Sequence, residues 1–242
     1  MSSTLPVGAG LSSSAALEVV IATALCAVSE FELDPMALAQ AAQRAELRAV
    51  GVPCGIMDQA ASVLGEERRA ILLDTGTLEH RAVPLPPELA LVIVDSGVRH
   101  TLADSGYADR RRELEAAIAA EGELEPLLAR RLRHVTSENG RVRHVVACLE
   151  AGDTARLGRL FRAGHDSLRD DFEVSTPELD LLVDRAYELG AVAARMTGGG
   201  FGGSIVVLAE HDRAESLAAE IAAALPTAQG FVTRAARGAG EL

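Results

Sequence analysis

The 242-residue chain contains no lysine; all 23 of its basic residues are arginine. Chemistry that needs a lysine side chain, whether a Schiff base or a phosphate-gripping ammonium, is excluded with it. Tryptophan is also absent and aromatics make up only 3% of the chain, too few for the stacking platforms of single-stranded nucleic-acid binders. The three cysteines, Cys26, Cys54 and Cys148, are odd in number and scattered, so neither a disulfide framework nor a zinc site is indicated. No apolar run approaches the ~18 uninterrupted residues of a membrane span. No basic segment with an apolar core and cleavage site opens the chain. The expectation is a cytoplasmic protein with no membrane partner. A net charge of −12 repels phosphate backbones, so no nucleic-acid partner is expected, and a bound nucleotide has to be met by backbone dipoles and a divalent ion.

Apolar residues recur at helical spacing over 12–28 and again over 35–49, the second run opened by Asp34 as cap and Pro35 at the first helical position. A short helix is expected over 56–63. Three β-rich runs follow, "RAILLD", "EHRAVPL" and "LALVIVDS", separated by Gly76 and the prolines at 84, 86 and 87; they are expected to share a sheet. From 105 to 188 the pattern is helical, with breaks expected at Gly122, Gly140, Gly152 and Pro177. Strands return at "AVAARMT" and "SIVVLAE", then a helix over 213–224 and a last strand near "GFVTRAA". The class is α+β, helices layered on mostly antiparallel sheet, with a boundary in the helical middle.

Three stretches carry chemistry. In "PVGAGLSSSAAL", Gly8 and Gly10 flank Ala9 and permit close backbone approach, Leu11 follows, and Ser12, Ser13 and Ser14 stand where a helix begins with unpaired N–H groups. That suits an anion, the hydroxyls adding donors and one of them a Mg²⁺ ligand; serines that merely cap a helix after a glycine turn are the plain alternative. A Walker loop is excluded because it requires lysine. The stretch "MTGGGFGGSIVVL" contains G-x-G-x-x-G at Gly198, Gly200 and Gly203, beside Gly199 and Gly202, but leads into a strand and not a helix, so the dinucleotide fingerprint fails. A glycine hairpin is the plain alternative there. In "AELRAVGVPCGIMDQAAS", Asp58 falls at a helix start, where dipoles favour its carboxylate. Glu46, taken alone, is a solvated surface charge.

Together and in this order, these stretches resemble the second phosphate motif, the aspartate motif and the third motif of the GHMP small-molecule kinases. "VDSGVRHTLADSGYADRRRELE", "RLRHVTSENGRV" and "HDSLRDDFEVSTPELDLLV" resemble the galactokinases in particular, not the mevalonate or homoserine kinases. The resemblance implies a two-domain GHMP fold, residues 1–120 being the remainder of an N-terminal ATP-binding domain like the second domain of ribosomal protein S5, and 121–242 a ferredoxin-like C-terminal domain. It implies ATP and Mg²⁺ as cofactors and galactose as small-molecule partner. Residues Gly8, Ala9, Gly10, Leu11, Ser12, Ser13 and Ser14 would cradle the ATP phosphates, and Ser14 and Glu46 would ligate Mg²⁺. Asp58 matches the catalytic aspartate that orients the sugar O1 hydroxyl, and Gly55 and Tyr107 match sugar contacts. Gly198, Gly199, Gly200, Gly202 and Gly203 would back the pocket. The family usually has cysteine where Ser204 stands, a departure expected to concern packing. Tyr107 as a helix-face core residue is the plain alternative, and the arginines 110–112 are expected to be solvated.

The family's first motif, of the type G-R-V-N-x-I-G-E-H-x-D-Y, supplies an arginine beside the catalytic aspartate and groups that grip the sugar; nothing like it occurs in these 242 residues. The chain therefore resembles an N-terminally truncated galactokinase, expected to be a poor enzyme by itself and to expose an apolar face. A noncatalytic nucleotide-binding remnant, half of a split kinase, and a kinase for another sugar such as N-acetylgalactosamine stay open as alternatives, and so does the oligomeric state.

Overall fold

The structure, a computed structural model, describes residues 3–6, 8–51, 54–99 and 106–240. It divides into two compact units: one gathers Ser12–Leu85 with the terminal segments, and the other joins Gly8–Leu11 to Pro86–Thr233.

The first unit begins with three helices, α1 (Ser13–Val28), α2 (Pro35–Val50) and α3 (Met57–Leu64). The limits of α2 follow from local chemistry. Asp34 Oδ1 accepts from the N–H groups of Met36 at 2.9 Å and Ala37 at 3.3 Å, Pro35 occupies the first turn, and Gly51 closes the helix in the left-handed conformation. Two small apolar clusters tie the helices together: Val19, Leu38 and Ala42 in one, Ala39, Ile56 and Ala60 in the other. A hairpin of β1 (Arg69–Leu73) and β2 (His80–Pro84) pairs antiparallel, with Arg69 opposite Pro84 and Leu73 opposite His80. Asp74 Oδ1 shapes its turn by accepting from Gly76 and Thr77 N–H at 2.9 and 3.0 Å. The C-terminal stretch returns to this unit: Gly238 N–H donates to Gly65 O at 2.8 Å and Arg68 N–H to Ala235 O at 3.1 Å.

The second unit holds an antiparallel sheet of four strands, β3 (Leu89–Asp95), β4 (Ala193–Met196), β5 (Ser204–Glu210) and β6 (Gln229–Thr233), in the order β4-β5-β3-β6. The third β-rich run of the sequence therefore leaves the hairpin it follows and becomes a central strand, Asp95 lying opposite Ser204 on one side and Gln229 on the other. Alternation decides this. Ala90, Val92 and Val94 face one core and Leu89 and Leu91 another, so both faces need cover. On the first face, α7 (Pro177–Glu188) and α8 (Ala214–Ala222) contribute Leu179, Leu182, Leu217 and Ile221. On the second, α5 (Pro126–Ala151) and α6 (Thr154–Asp170) contribute Cys148, Leu157 and Phe161. The break expected at Gly140 does not occur: α5 runs through it, and a Cβ there would meet nothing within 4 Å, so only the ordinary glycine penalty of about 1 kcal/mol opposes the helix. The remaining helix, α4 (Tyr107–Ala119), is tied to α5 by the fully buried Arg131, which donates to Glu113 at 2.7 Å, Glu173 at 2.6 Å and Asp171 O at 2.6 Å. Arg110 takes part through Glu113 and is half-buried, unlike the exposed Arg111 and Arg112, so the expectation of three solvated arginines fails at the first. No helix among the described residues is long and apolar enough to cross a membrane.

Candidate active site

In the second unit the glycine loop joins β4 to β5 as a hairpin, 198–203. Its conformation is enforced at Gly200, where φ is +86° and a Cβ would stand 2.3 Å from Val174 O; no other residue fits. Gly203 is held from both sides: its carbonyl accepts from Ser96 N–H at 2.9 Å and Ser96 Oγ at 2.7 Å, and its N–H donates to Val98 O at 3.1 Å. His165 steadies the strand that enters the loop. Its Nδ1 accepts from Met196 N–H at 3.3 Å, which leaves Nε2–H to donate to Asp180 at 3.0 Å.

Against this loop lie Ala9 and Gly10, in the segment Gly8–Leu11 that belongs to the same unit. A Cβ on Gly10, φ +70°, would be 3.5 Å from Gly203 Cα, and the buried Ser204 Oγ donates to Ala9 O at 2.7 Å. Ser204 thus does more than fill space, because it anchors the first glycine segment to the second with a hydroxyl bond. Arg99 is a residue that motif reasoning missed. Its side chain passes beside Gly8, and its guanidinium grips the buried Asp95 with two 2.6 Å bonds while remaining 43% exposed. Hydrogen bonding to Asp95 raises its pKa further. The signal was the i, i+4 spacing of Asp95 and Arg99 in a chain that lacks lysine. Tyr107, the first residue of α4, is half-buried. The neighbouring residues 100–105 of that motif lie outside the described residues, as do Val52 and Pro53 of the turn before Asp58.

In the first unit, α1 starts after Ser12, whose φ of 56° is left-handed and whose side chain makes no capping bond; no acidic residue occupies the first turn. No acid of α1 itself therefore faces the positive dipole end at Ser13 and Ser14, and the carboxylate that reaches it comes from α2. Ser14 Oγ donates to Glu46 Oε1 at 2.7 Å. Glu46 is only 6% exposed, so its isolated reading as a solvated charge is wrong. Its other oxygen accepts from Gln59 Nε2 at 2.6 Å and Cys54 Sγ at 3.2 Å. All three donors are neutral, and among the described residues no ion pair reaches Glu46. A buried carboxylate so placed is short of positive charge. Burial and the neighbouring Glu46 push the Cys54 thiol up to about 12, so it stays protonated and donates. Burial also raises Glu18, with the Gln59 bond opposing and the Glu46 charge adding. One hydroxyl and one carboxylate fit a Mg²⁺ ion that keeps waters and phosphate oxygens as its other ligands; among the described residues no group of three or more His, Cys, Asp or Glu is arranged for a metal.

Asp58 stands in the first turn of α3, half-buried, and its carboxylate makes no hydrogen bond or ion pair with the described residues. Gly55 is exposed, with open space where a Cβ would be. Ser14 and Glu46 are thus brought together, while Asp58 is the residue next to the Gln59 that holds Glu46.

Comparison with known proteins places the chain in a family. Residues 1–66 match the family described as the GHMP kinases N terminal domain, and residues 145–227 match the GHMP kinases C terminal. A galactokinase of Roseiflexus sp. (strain RS-1) is 42% identical over 270 aligned residues, covering 100% of this chain and 69% of that protein. The chain belongs to the GHMP kinases, in the galactokinase family. A solved GHMP kinase, Lactococcus lactis galactokinase complexed with galactose, superposes with a TM-score of 0.91 at 30% identity, covering 98% of this chain and 69% of that one. The Cytophaga hutchinsonii homoserine kinase, at 21% identity and TM-score 0.67 over 98% of this chain and 69% of its own, shares the fold. The fold class expected from the motifs, α+β with GHMP N- and C-terminal domains, is the one observed.

Proposed function

We propose that this chain transfers the γ-phosphoryl group of ATP to O1 of galactose, giving galactose 1-phosphate and ADP. In this reading the segment 8–14 receives the ATP phosphates through backbone N–H groups, the α1 dipole and the serine hydroxyls, and the guanidinium of Arg99 beside Gly8 contributes the positive charge that lysine supplies elsewhere. Ser14 and Glu46 hold Mg²⁺, which when bound neutralises charge on the transferring group. Asp58 accepts the proton of the sugar O1 hydroxyl as the O1–P bond forms and the bond to the ADP oxygen breaks. Gly55 and Tyr107 touch the sugar, and Gly198, Gly199, Gly200, Gly202 and Gly203 back the pocket. The three cysteines are free thiols, in keeping with a cytoplasmic setting.

The observation that carries the reading is the Ser14–Glu46 pair: a buried carboxylate bonded, among the described residues, only by neutral donors, at the start of a helix whose first turn holds no acid. The test is transfer of label from γ-³²P-ATP, which detects even very slow turnover. Label is expected in galactose 1-phosphate, more with Mg²⁺ than without, and less in the Ser14→Ala, Glu46→Gln double variant. Label that never leaves ATP, or that moves equally well to N-acetylgalactosamine, overturns it.

A further inference from the structure

Gln59 has no exposed surface, yet its polar end is only half used. Nε2 donates to Glu46 Oε2 at 2.6 Å and to Glu18 Oε2 at 3.2 Å, whereas Oε1 is buried with no partner among the described residues. The orientation of the amide is not in question: a flipped amide would turn its oxygen toward two carboxylates and lose both bonds. The three groups lie on three helices, Glu18 on α1, Glu46 on α2 and Gln59 on α3, so a single amide nitrogen ties all the helices of this unit at one point. A well-packed apolar residue would fill the space without leaving a polar atom unpaired. What the amide adds is orientation: it fixes Glu46 by one oxygen and leaves the other facing Ser14 Oγ.

We propose that Gln59 is a positioning residue for a divalent cation, holding the Glu46 carboxylate by Oε2 so that Oε1 and the Ser14 hydroxyl form a ready-made ligand pair. This rests on the assignment of Ser14 and Glu46 as cation ligands given above. Groups that orient a ligand from behind typically change metal affinity by about ten- to a hundred-fold when removed.

The test measures ATP affinity by calorimetry with and without Mg²⁺ and takes the ratio as the metal's contribution. Gln59→Met keeps length and volume while removing both polar ends; Gln59→Asn keeps the amide but draws it back by one methylene. Each is expected to cut the metal's contribution by about ten-fold or more and to leave metal-free ATP affinity within about two-fold, the size of ordinary surface effects. A folded variant that retains the wild-type contribution overturns the proposal, and so does one that weakens both affinities equally, since that is what a purely structural role does. If the unmutated protein shows no metal contribution, the ligand assignment itself fails, which is a separate and recognisable result. A last readout needs no variant: in ¹⁵N-labelled wild-type protein the Gln59 side-chain amide resonances should move on adding Mg²⁺·ATP but not metal-free ATP, and resonances that stay still overturn the proposal.

Discussion

In the second unit Val92, Val94, Leu179, Leu182 and Ile205 have no exposed surface, and the β3 strand is covered on both faces. In the first unit the buried clusters contain three residues each, and α1 leaves Leu25 61% and Val28 85% exposed. The two also hold their functional groups differently. The glycine segments, with several residues in left-handed backbone, belong to the thick sheet unit, where carbonyl and hydroxyl bonds from Ser96, Val98 and Ser204 enforce them. The carboxylates Glu46 and Asp58 belong to the thin helical unit, where side-chain hydrogen bonds position Glu46 and the first turn of α3 carries Asp58. Backbone strain needs dense packing to persist; a carboxylate needs only the right donors.

The largest expected effect separates chemistry from stability within the thin unit. Asp58→Asn should slow phosphoryl transfer to galactose by about a thousand-fold, the range of an essential acid–base group, with the unfolding midpoint unchanged because no bond to the described residues is lost. A large drop in that midpoint would show Asp58 to be structural. Next come the cores. Leu182→Ala should cost about 3–5 kcal/mol, against about 2 kcal/mol for Leu38→Ala, whose surroundings can collapse; denaturant titration with hydrogen exchange assigns each loss to its unit, and equal losses would break the comparison.

A smaller effect concerns pH and belongs to the sheet unit. Burial holds the His134 imidazole down to about 4, with Glu138 pulling it up and Arg141 and Arg195 pulling it further down. Its Nδ1 donates to Ser167 Oγ, since that hydroxyl donates onward to Asp171. The folded state therefore binds fewer protons than the unfolded chain between the ordinary value of 6.5 and about 4, so stability is full above that window and falls as pH drops through it. His134→Gln should flatten the slope there. A further loss at lower pH should remain: burial of Glu138 is outweighed by Arg195 and Arg141, which hold its carboxyl below the usual range, and protonating it removes that stabilisation. An unaltered slope would move the pH response to other groups. The smallest effect on stability is expected at the α1 surface, where Leu25→Glu with Val28→Glu should change unfolding by no more than about 0.5 kcal/mol while reducing self-association in light scattering. A large stability loss would mean that these side chains are covered in the folded protein.

Some of this was open to inspection in the residue string. Asp34, Pro35 and Gly51 mark the ends of α2 because capping and left-handed closure depend on residues within one turn. The motif order identified the kinase family, since the wording of several separated stretches agreed at once. Other features were hidden. Glu46 has the look of any helical glutamate until Ser14, Cys54 and Gln59 converge on it from other parts of the chain. Arg131 occupies a helix full of arginines, and nothing local distinguishes the one whose guanidinium is buried between Glu113 and Glu173. Ser204 reads as a packing residue because the acceptor of its bond, Ala9 O, lies near the opposite end of the sequence.

The sequence by itself determined the element types, the helix caps, the absence of any lysine-based phosphate grip and the glycine- and aspartate-bearing stretches by which the family resemblance is recognised, all of which depend on short-range sterics and on residue chemistry. Tertiary structure alone decided that β3 leaves β1 and β2 to pair with β5 and β6, that α5 continues through Gly140, and that a buried carboxylate is held by three neutral donors. Strand pairing is chosen by which faces can be covered at once, and burial by which distant side chains arrive together; neither is a property of any window along the chain.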